Sequence, residues 1–401
     1  MTQINIIAVP FHDWKKGQSE GFRTRDNHLL QEFRNHPDIN KLIILDRPIS
    51  LTEMILKGRS WRVRSDFPSF RKGLSNLSQL DERTHVIDIM SLDVIRPVIQ
   101  RRKWLPKAYG SRTTTQAIKN ALSYLDIHEF ILLLFSPLPM PLYWNLSQPL
   151  LVVDAVDNLL KIPQFFNMKD EVKTYYDQIR MQAKVIFTNS RENQEFLSDE
   201  YHQAIYIPNG VNFHHFKAKS DLIPRDLQKL PKPIIGYAGK MQELFDVDLL
   251  IKIADYFPDV SFVCIGQVLN SNWMKRLWKI PNVYYLGDKH YDILPDYITN
   301  FDICMIPYNI ERHHNNDPIK FYEYLSLGKP VITTKIGGVN QYQELPQVRI
   351  VENSEDFIQS IKDFLDLISN NIKLPEIHLP ADVLWSTKAN MMIQTITQVS
   401  V

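Results

Sequence analysis

"NNDPIKFYEYLSLGKPVITT", residues 315–334, is the stretch on which the reading of this chain turns. Phe321, Tyr324 and Leu325 fall at helical spacing, and a short β-branched run follows Gly328, so a helix leading into a buried strand is predicted. Asp317 suits an N-cap and Pro318 a first helical residue. Lys320 then lies in the first turn, where unpaired backbone N–H groups favour an anion. A cation there is unfavourable unless it shares that end with a bound anion. Glu323 is on the same face one turn on, and a carboxylate can accept two hydroxyl hydrogen bonds, as from a ribose diol. Two readings stay open on spacing alone. Either Lys320 takes a phosphate and Glu323 a ribose, or the two are a surface pair above a buried face of Phe321, Tyr324 and Leu325.

Working outward, strand-like and helix-like runs alternate. "INIIAVP", "KLIILD", "HVIDIM", "FILLLFS", "LLVVDAV", "KVIFTNS" and "AIYIPNG" read as buried strands, with helices such as "TTQAIKNALSYL" and "KDEVKTYYDQIRMQA" between them. A second series follows: "PIIGYAGK", "VSFVCIGQ", "NVYYLGD", "DICMIPY", "PVITTK" and "VRIVE". Continuous apolar strands separated by helices predict parallel sheets covered on both faces. The fold class is therefore α/β with two doubly wound Rossmann-like domains. The expected boundaries are 1–216 for the first domain, 217–232 for a proline-bearing linker and 233–378 for the second domain. Residues 379–401 are expected to form a helix packing back on the first. Two such domains would face a cleft, and residues just after strands become the candidates for chemistry.

At 401 residues the chain is long for a single core, which supports two domains. No apolar run reaches the length of a membrane span, and the start lacks the basic and apolar regions of a signal peptide. Cys264 and Cys304 fall in strand-like runs and read as reduced core residues, which fits a cytoplasmic chain. Residues 1–119 hold 21 Lys and Arg against 12 Asp and Glu, a balance of +9; the rest of the chain, 25 against 33, sums to −8. Basic residues cluster with aromatics in "KGRSWRVRSDFPSFRKG" and "RPVIQRRKWLPKAYGSR". An anionic membrane surface, a pyrophosphate-bearing substrate or a plain solvated region would each produce this pattern. The membrane reading uses Arg62, Arg64, Arg71, Arg101, Arg102 and Lys103, with Trp61 and Trp104 at the interface. No nucleic-acid-binding signature is present, and no nucleic-acid partner is expected.

Three segments resemble GT-B glycosyltransferases of the family 4 kind, in the order and spacing those enzymes have. "NDPIKFYEYLSLGKPVITT" resembles their donor-nucleotide segment. "AKVIFTNSRENQEFLSDEYHQAIYIPNGVNFHHF" resembles the end of their first domain, and "PIIGYAGKMQELFDVDLLIKIADYFPDVSFVCIG" the start of their second. The nearest in character are bacterial exopolysaccharide and teichuronic-acid type transferases and the xanthan glucuronosyltransferase group. The resemblance implies transfer of a sugar from a UDP- or GDP-sugar to a saccharide or lipid-linked acceptor in cell-surface polysaccharide synthesis. It implies no metal and no cofactor beyond the donor itself; the basic first domain, for its part, leads us to expect a cytoplasmic protein peripheral at the inner face of the plasma membrane. One departure is visible. Where retaining members carry a first glutamate eight residues before the second, this chain has Asn315, which leaves the stereochemical outcome open. An inactive nucleotide-binding partner subunit and a sugar-nucleotide epimerase are the alternatives.

The candidate residues follow from both readings. Lys320, Glu323, Asp317, Asn316 and Ile319 belong to the nucleotide helix and its approach. Gly239, Lys240 and Met241 follow the first strand of the second domain, where a glycine admits a phosphate and a lysine neutralises charge. Tyr308 ends the strand before the nucleotide helix, and the resemblance puts Asp288 near the nucleobase. Asp154 and Asp157, at the end of "VVDAVDN", are candidates for deprotonating an acceptor hydroxyl, Asp157 best by resemblance; turn and cap aspartates are the plainer alternative. His12, Arg23 and Arg25, after the first strand, are candidates for acceptor binding or are ordinary loop residues. His313 and His314 are adjacent, point different ways and make a poor metal pair.

Overall fold

The computed structural model describes residues 3–200, 202–217, 222–269, 271–312 and 317–400. These divide into two units, Met1–Ile207 with Trp385–Val401, and Pro208–Leu384.

In the first unit the strands are β1 Ile4–Val9, β2 Ile39–Leu45, β3 Ile49–Ser50, β4 Ser69–Lys72, β5 Ser75–Gln79, β6 Thr84–Ser91, β7 Ile131–Leu134, β8 Leu150–Ala155, β9 Val185–Thr188 and β10 Ile205–Tyr206. They form one sheet in the order β10-β9-β8-β7-β1-β2-β6-β5-β4, with β3 beside β6. Every pairing is parallel except β4–β5 and β5–β6. The parallel strands are the apolar runs picked out above, because a strand covered on both faces needs no polar alternation. The antiparallel hairpin β4–β5 escapes that reading. Ser69–Lys72 has no buried residue, and its turn depends on Gly73 at φ +60°, which a side chain disfavours.

The second unit holds β11 Ile234–Ala238, β12 Ser261–Ile265, β13 Val283–Tyr285, β14 Ile303–Ile306, β15 Val331–Thr334 and β16 Val348–Val351. The order is β13-β12-β11-β14-β15-β16, all parallel. Counted within the unit this is 3-2-1-4-5-6, the doubly wound dinucleotide-binding order, with its switch point between β11 and β14. Loops leaving the carboxyl ends of those two strands are where such a sheet binds ligands.

Three expected boundaries move. Phe216 is fully buried in the core of the second unit, so the division falls before Pro208 rather than after 216. The supposed linker is also packed: Leu227 is buried in the same core, and Asp226 accepts from the Tyr297 hydroxyl at 3.0 Å and pairs with Lys289 at 2.8 Å. The last helix runs Trp385–Val399 instead of from 379, since Val383 belongs to the second unit's core. That helix groups with the first unit. Trp385, Ala389, Met392, Ile393 and Ile396 form one buried stripe, and Trp385 stacks on His28 with ring centroids 5.0 Å apart. Cys264 and Cys304 are free and buried, and burial pushes the Cys264 thiol up to about 12.

Candidate active site

At the switch point of the second unit, two glycines let strand ends meet closely. A Cβ on Gly239, just after β11, would lie 2.4 Å from Cε and 2.6 Å from Nζ of Lys320. A Cβ on Gly266, after β12, would lie 2.0 Å from the Gly239 carbonyl oxygen, and its φ of +133° disfavours any side chain. Lys320 reaches this point from the first turn of the helix Ile319–Ser326. Its ammonium donates to the Tyr308 hydroxyl at 2.5 Å and stands 5.0 Å from the ring centroids of both Tyr237 and Tyr308. Among the described residues no carboxylate pairs with Lys320, and no side chain caps that helix start. A cation, a helix N-terminus and two bare strand ends therefore converge in one place. Burial, then the neighbouring Tyr308, holds the Tyr237 phenol well above the ordinary phenol range, so the hydroxyl stays a neutral donor, bonded to the Lys240 carbonyl at 2.8 Å.

One turn deeper, Glu323 is 5% exposed and accepts from the Tyr291 hydroxyl at 2.9 Å. Tyr291 is itself held: His215 stacks on its ring at 4.6 Å, and His215 Nε2 lies 2.9 Å from its carbonyl oxygen. Burial and the adjacent carboxylate push the Tyr291 phenol well up, which keeps it a donor to Glu323. Phe321, Tyr324 and Leu325 are buried as predicted, but Tyr322 and Glu323 are buried with them. The surface-pair alternative therefore does not hold for Glu323.

Asp317 departs from its expected role. Pro318, not Asp317, occupies the N-cap position, and the Asp317 carboxylate accepts instead from the Asn209 backbone N–H at 2.6 Å and the Tyr322 hydroxyl at 2.8 Å. It ties the "PNG" turn at 208–210 to the start of the helix, pressed so close to Gly338 that a Cβ there would meet its Oδ1 at 2.5 Å. Met241 also departs: it is 1% exposed and bridges to Val268 as part of the core. Lys240 and Ile319 are half-buried and Asp288 is exposed, on the loops and helix where they were expected. Asn315, Asn316, His313 and His314 lie outside the described residues.

In the first unit the corresponding loops follow β1 and β8. Arg25 and Asp154 do not face solvent. Arg25 Nε and Nη2 donate to Asp154 Oδ2 and Oδ1 at 2.9 and 3.1 Å, with side chains 2% and 0% exposed. Asp154 is thus committed to an internal ion pair rather than to an acceptor, and Arg25 rather than binding an acceptor pins its own helix, Arg25–Asn35, to β8. His12 is held by Asp26, with its N–H at 2.7 Å from Oδ2 and Nδ1 at 3.0 Å from Oδ1. Burial would raise the Asp26 carboxyl, but His12, Thr24 and the backbone outweigh it and bring it down to about 2. Arg23 pairs with Glu20 at 3.0 Å. Asp157 is half-buried on the loop after β8, where its carbonyl accepts from the Tyr176 hydroxyl at 2.8 Å. Trp104, expected at an interface, is 5% exposed and interior, whereas Trp61 has the guanidinium groups of Arg62 and Arg71 over its ring at 5.2 and 5.5 Å.

Sequence reasoning missed Tyr237, Gly266, Tyr291 and His215. The first two stand beside recognised strand ends and were within reach; nothing local to "KHYD" or "FHHF" announces the other two. Among the described residues no group of three or more His, Cys, Asp or Glu is placed to hold a metal.

Residues 232–367 match the family Glycosyl transferases group 1. A stretch of 165 residues is 26% identical to a Bacillus subtilis protein described as a teichuronic acid biosynthesis glycosyltransferase, TuaH. That match spans 40% of this chain and 42% of the length of the relative. Among solved structures, sucrose-phosphate synthase from Thermosynechococcus elongatus superposes with a TM-score of 0.69 at 15% identity, over 99% of both chains. An alpha,alpha-trehalose-phosphate synthase (UDP-forming) from Burkholderia xenovorans, in complex with glucose-6-phosphate, gives 0.61 at 10% identity, over 98% of this chain and 100% of its own. UDP-GlcNAc 2-epimerase from Neisseria meningitidis, bound to UDP-GlcNAc, gives 0.52 at 12% identity, over 98% and 100%. The chain has the GT-B fold, and within its second unit residues 232–367 match the group 1 glycosyltransferase family.

Proposed function

We propose that the protein is a glycosyltransferase that moves a sugar from a nucleoside-diphosphate donor to a saccharide or lipid-linked acceptor in bacterial cell-surface polysaccharide synthesis. The observation that carries this reading is Lys320: a cation in the first turn of a helix, against Gly239 at the switch point, paired with no described carboxylate. A diphosphate placed there meets the ammonium and the uncapped N–H groups together, and the same groups hold the charge that develops as it leaves. Glu323, oriented by Tyr291, accepts from the ribose hydroxyls. Lys240 and Tyr308 flank the phosphates, and Asp288 lies toward the base. Asp157 takes the proton of the acceptor hydroxyl; Asp154 supports its strand through Arg25. His12 and Arg23 remain the acceptor-side contacts. The reading requires no metal, because lysine and the helix supply the positive charge. It places the protein in the cytoplasm, peripheral to the inner face of the membrane where a lipid-linked acceptor would lie.

A panel of UDP-, GDP- and ADP-sugars tests the proposal. One donor nucleotide should raise the melting temperature, and the cognate donor should be slowly hydrolysed, with faster release of nucleotide when an acceptor is added. No stabilisation by any nucleoside diphosphate would overturn it. A donor epimerised without any acceptor, seen by NMR, would move it to the epimerase alternative, which the group 1 match does not favour.

A further inference from the structure

We infer that the helices Leu51–Lys57 and Arg96–Ile99 of the first unit form a docking face for an anionic lipid bilayer. The starting observation is a packing anomaly. "LTEMILK" and "RPVI" are rich in aliphatic residues, yet neither helix buries a single one. Ile55 and Leu56 are 72% and 75% exposed, and Ile95, Val98 and Ile99 are 63%, 55% and 74% exposed. Scattered apolar residues on a surface are ordinary; several large aliphatics on two adjoining helices are not.

The two helices form one surface. β3 runs beside β6, with Ile49 opposite Met90 and Ser50 opposite Ser91, so both strands release the chain at the same edge. The Thr52 hydroxyl donates to the Val94 carbonyl at 2.7 Å, and the helices pack against each other. The face is also built rather than frayed. The Ser50 hydroxyl caps the first helix by accepting from the Glu53 N–H at 3.1 Å, and Gly58 ends it at φ +60°. Glu53 then anchors both Arg47 at 2.7 Å and Arg59 at 3.1 Å.

Charge selects the occupant. Between residues 51 and 103 there are 11 Lys and Arg and 6 Asp and Glu. Four of those acids, Glu53, Asp81, Asp88 and Asp93, are already paired with bases. Lys57 and Arg96 on the two helices, and Arg101 and Arg102 directly after the second, are exposed, Lys57 and Arg96 while pairing with Glu53 and Asp93; Arg62 and Arg64, a few residues after the first helix, are exposed as well. An aliphatic patch inside a cationic rim complements a bilayer of anionic lipids: the side chains enter the boundary between headgroups and acyl chains, and the guanidinium groups meet the phosphates. The aliphatic part is what a reading of basic and aromatic clusters did not supply, and it takes the place of the buried Trp104. This face belongs to the membrane contact of the reading above but shares no residue with the donor site, so either can fail without the other.

Flotation of the full chain with vesicles tests it. The protein should bind vesicles of phosphatidylcholine mixed with phosphatidylglycerol, bind pure phosphatidylcholine weakly, and be released by rising salt. The pair Ile55→Ser/Leu56→Ser, and separately Val98→Ser/Ile99→Ser, should lower binding about tenfold or more. Arg101→Gln/Arg102→Gln should lower it about fivefold per charge removed. Thermal unfolding should be unchanged in both serine pairs, since those side chains are exposed; because Arg102 also donates to Gln164 and lies over the Phe165 ring, the arginine pair is compared with Arg101→Gln alone, and a variant that unfolds early is replaced by the single substitution. Absence of vesicle binding, indifference to lipid charge, or undiminished binding by the serine variants would each overturn the inference. So would a concentration-dependent dimer, seen by light scattering and lost in the serine variants, because the face would then be an interface between copies of the chain.

Discussion

Arg25 and Asp154, 129 residues apart in the chain, make a two-pronged ion pair with both side chains interior. Their bond joins the start of the helix Arg25–Asn35 to β8 and fixes the loop that carries Asp157. Because both charges are out of water, removing one leaves the other uncompensated. Arg25→Met or Asp154→Leu alone should each cost about 3–5 kcal/mol in a urea unfolding experiment, and the double variant should recover most of that loss. An Asp154 that acted as a base would instead leave stability unchanged and abolish transfer.

Glu323 and Tyr291 offer a second pair. Tyr291→Phe removes one hydrogen bond to a buried carboxylate, so about 1–3 kcal/mol of stability should be lost and the nucleoside affinity should fall with it. If the loss is the same in a Glu323→Gln background, the two side chains are uncoupled and the pairing has no functional weight.

Lys15 links Asp46 and Asp88 beneath the loop that follows β1, at 2.6 and 3.0 Å. Burial, outweighing Lys15, raises the Asp88 carboxyl from 3.8 to about 6. The folded state therefore binds more protons than the unfolded one between those values, and this group's contribution to stability falls as pH rises from about 4 to 6, by up to about 3 kcal/mol. Asp26 acts oppositely and lower. Its carboxyl is brought down to about 2, so the stability it provides is present above 3.8 and is lost as pH falls from there through 2. Asp88→Asn should flatten the pH dependence of the melting temperature between 4 and 6 and leave the acid limb below 4 intact. A profile that keeps its slope between 4 and 6 in that variant would assign the slope elsewhere.

The sheets were legible because the parallel strands are unbroken apolar runs; "FILLLFS" and "DICMIPY" admit few other readings. The helix Ile319–Ser326 was legible because Phe321, Tyr324 and Leu325 keep helical spacing, and Lys320 and Glu323 stood out because a merely packed helix has no need of them. What stayed hidden depends on partners far away in the chain. Asp317 looks like a cap until Asn209, 108 residues earlier, claims its carboxylate. Arg25 looks like a loop arginine until Asp154 is brought beside it. The aliphatic face of Ile55 and Ile99 could not be told from a buried helix by pattern, since only the fold shows that nothing covers it. The division before Pro208 was missed for a related reason: Phe216 belongs to a core whose other members come later in the chain.

Calorimetric titration with UDP, GDP and the matching nucleosides tests the central claim most directly, in the parent and in Lys320→Ala. The parent should bind one diphosphate, and the variant should bind it about tenfold or more weaker, the loss of a charge-assisted bond of roughly 1.5–3 kcal/mol. Its affinity for the nucleoside should hardly change. Gly239→Ala, whose methyl would displace the ammonium, should reproduce that selective loss. If neither diphosphate binds the parent, or if both variants bind it as the parent does, Lys320 is a structural lysine and the donor site is not there.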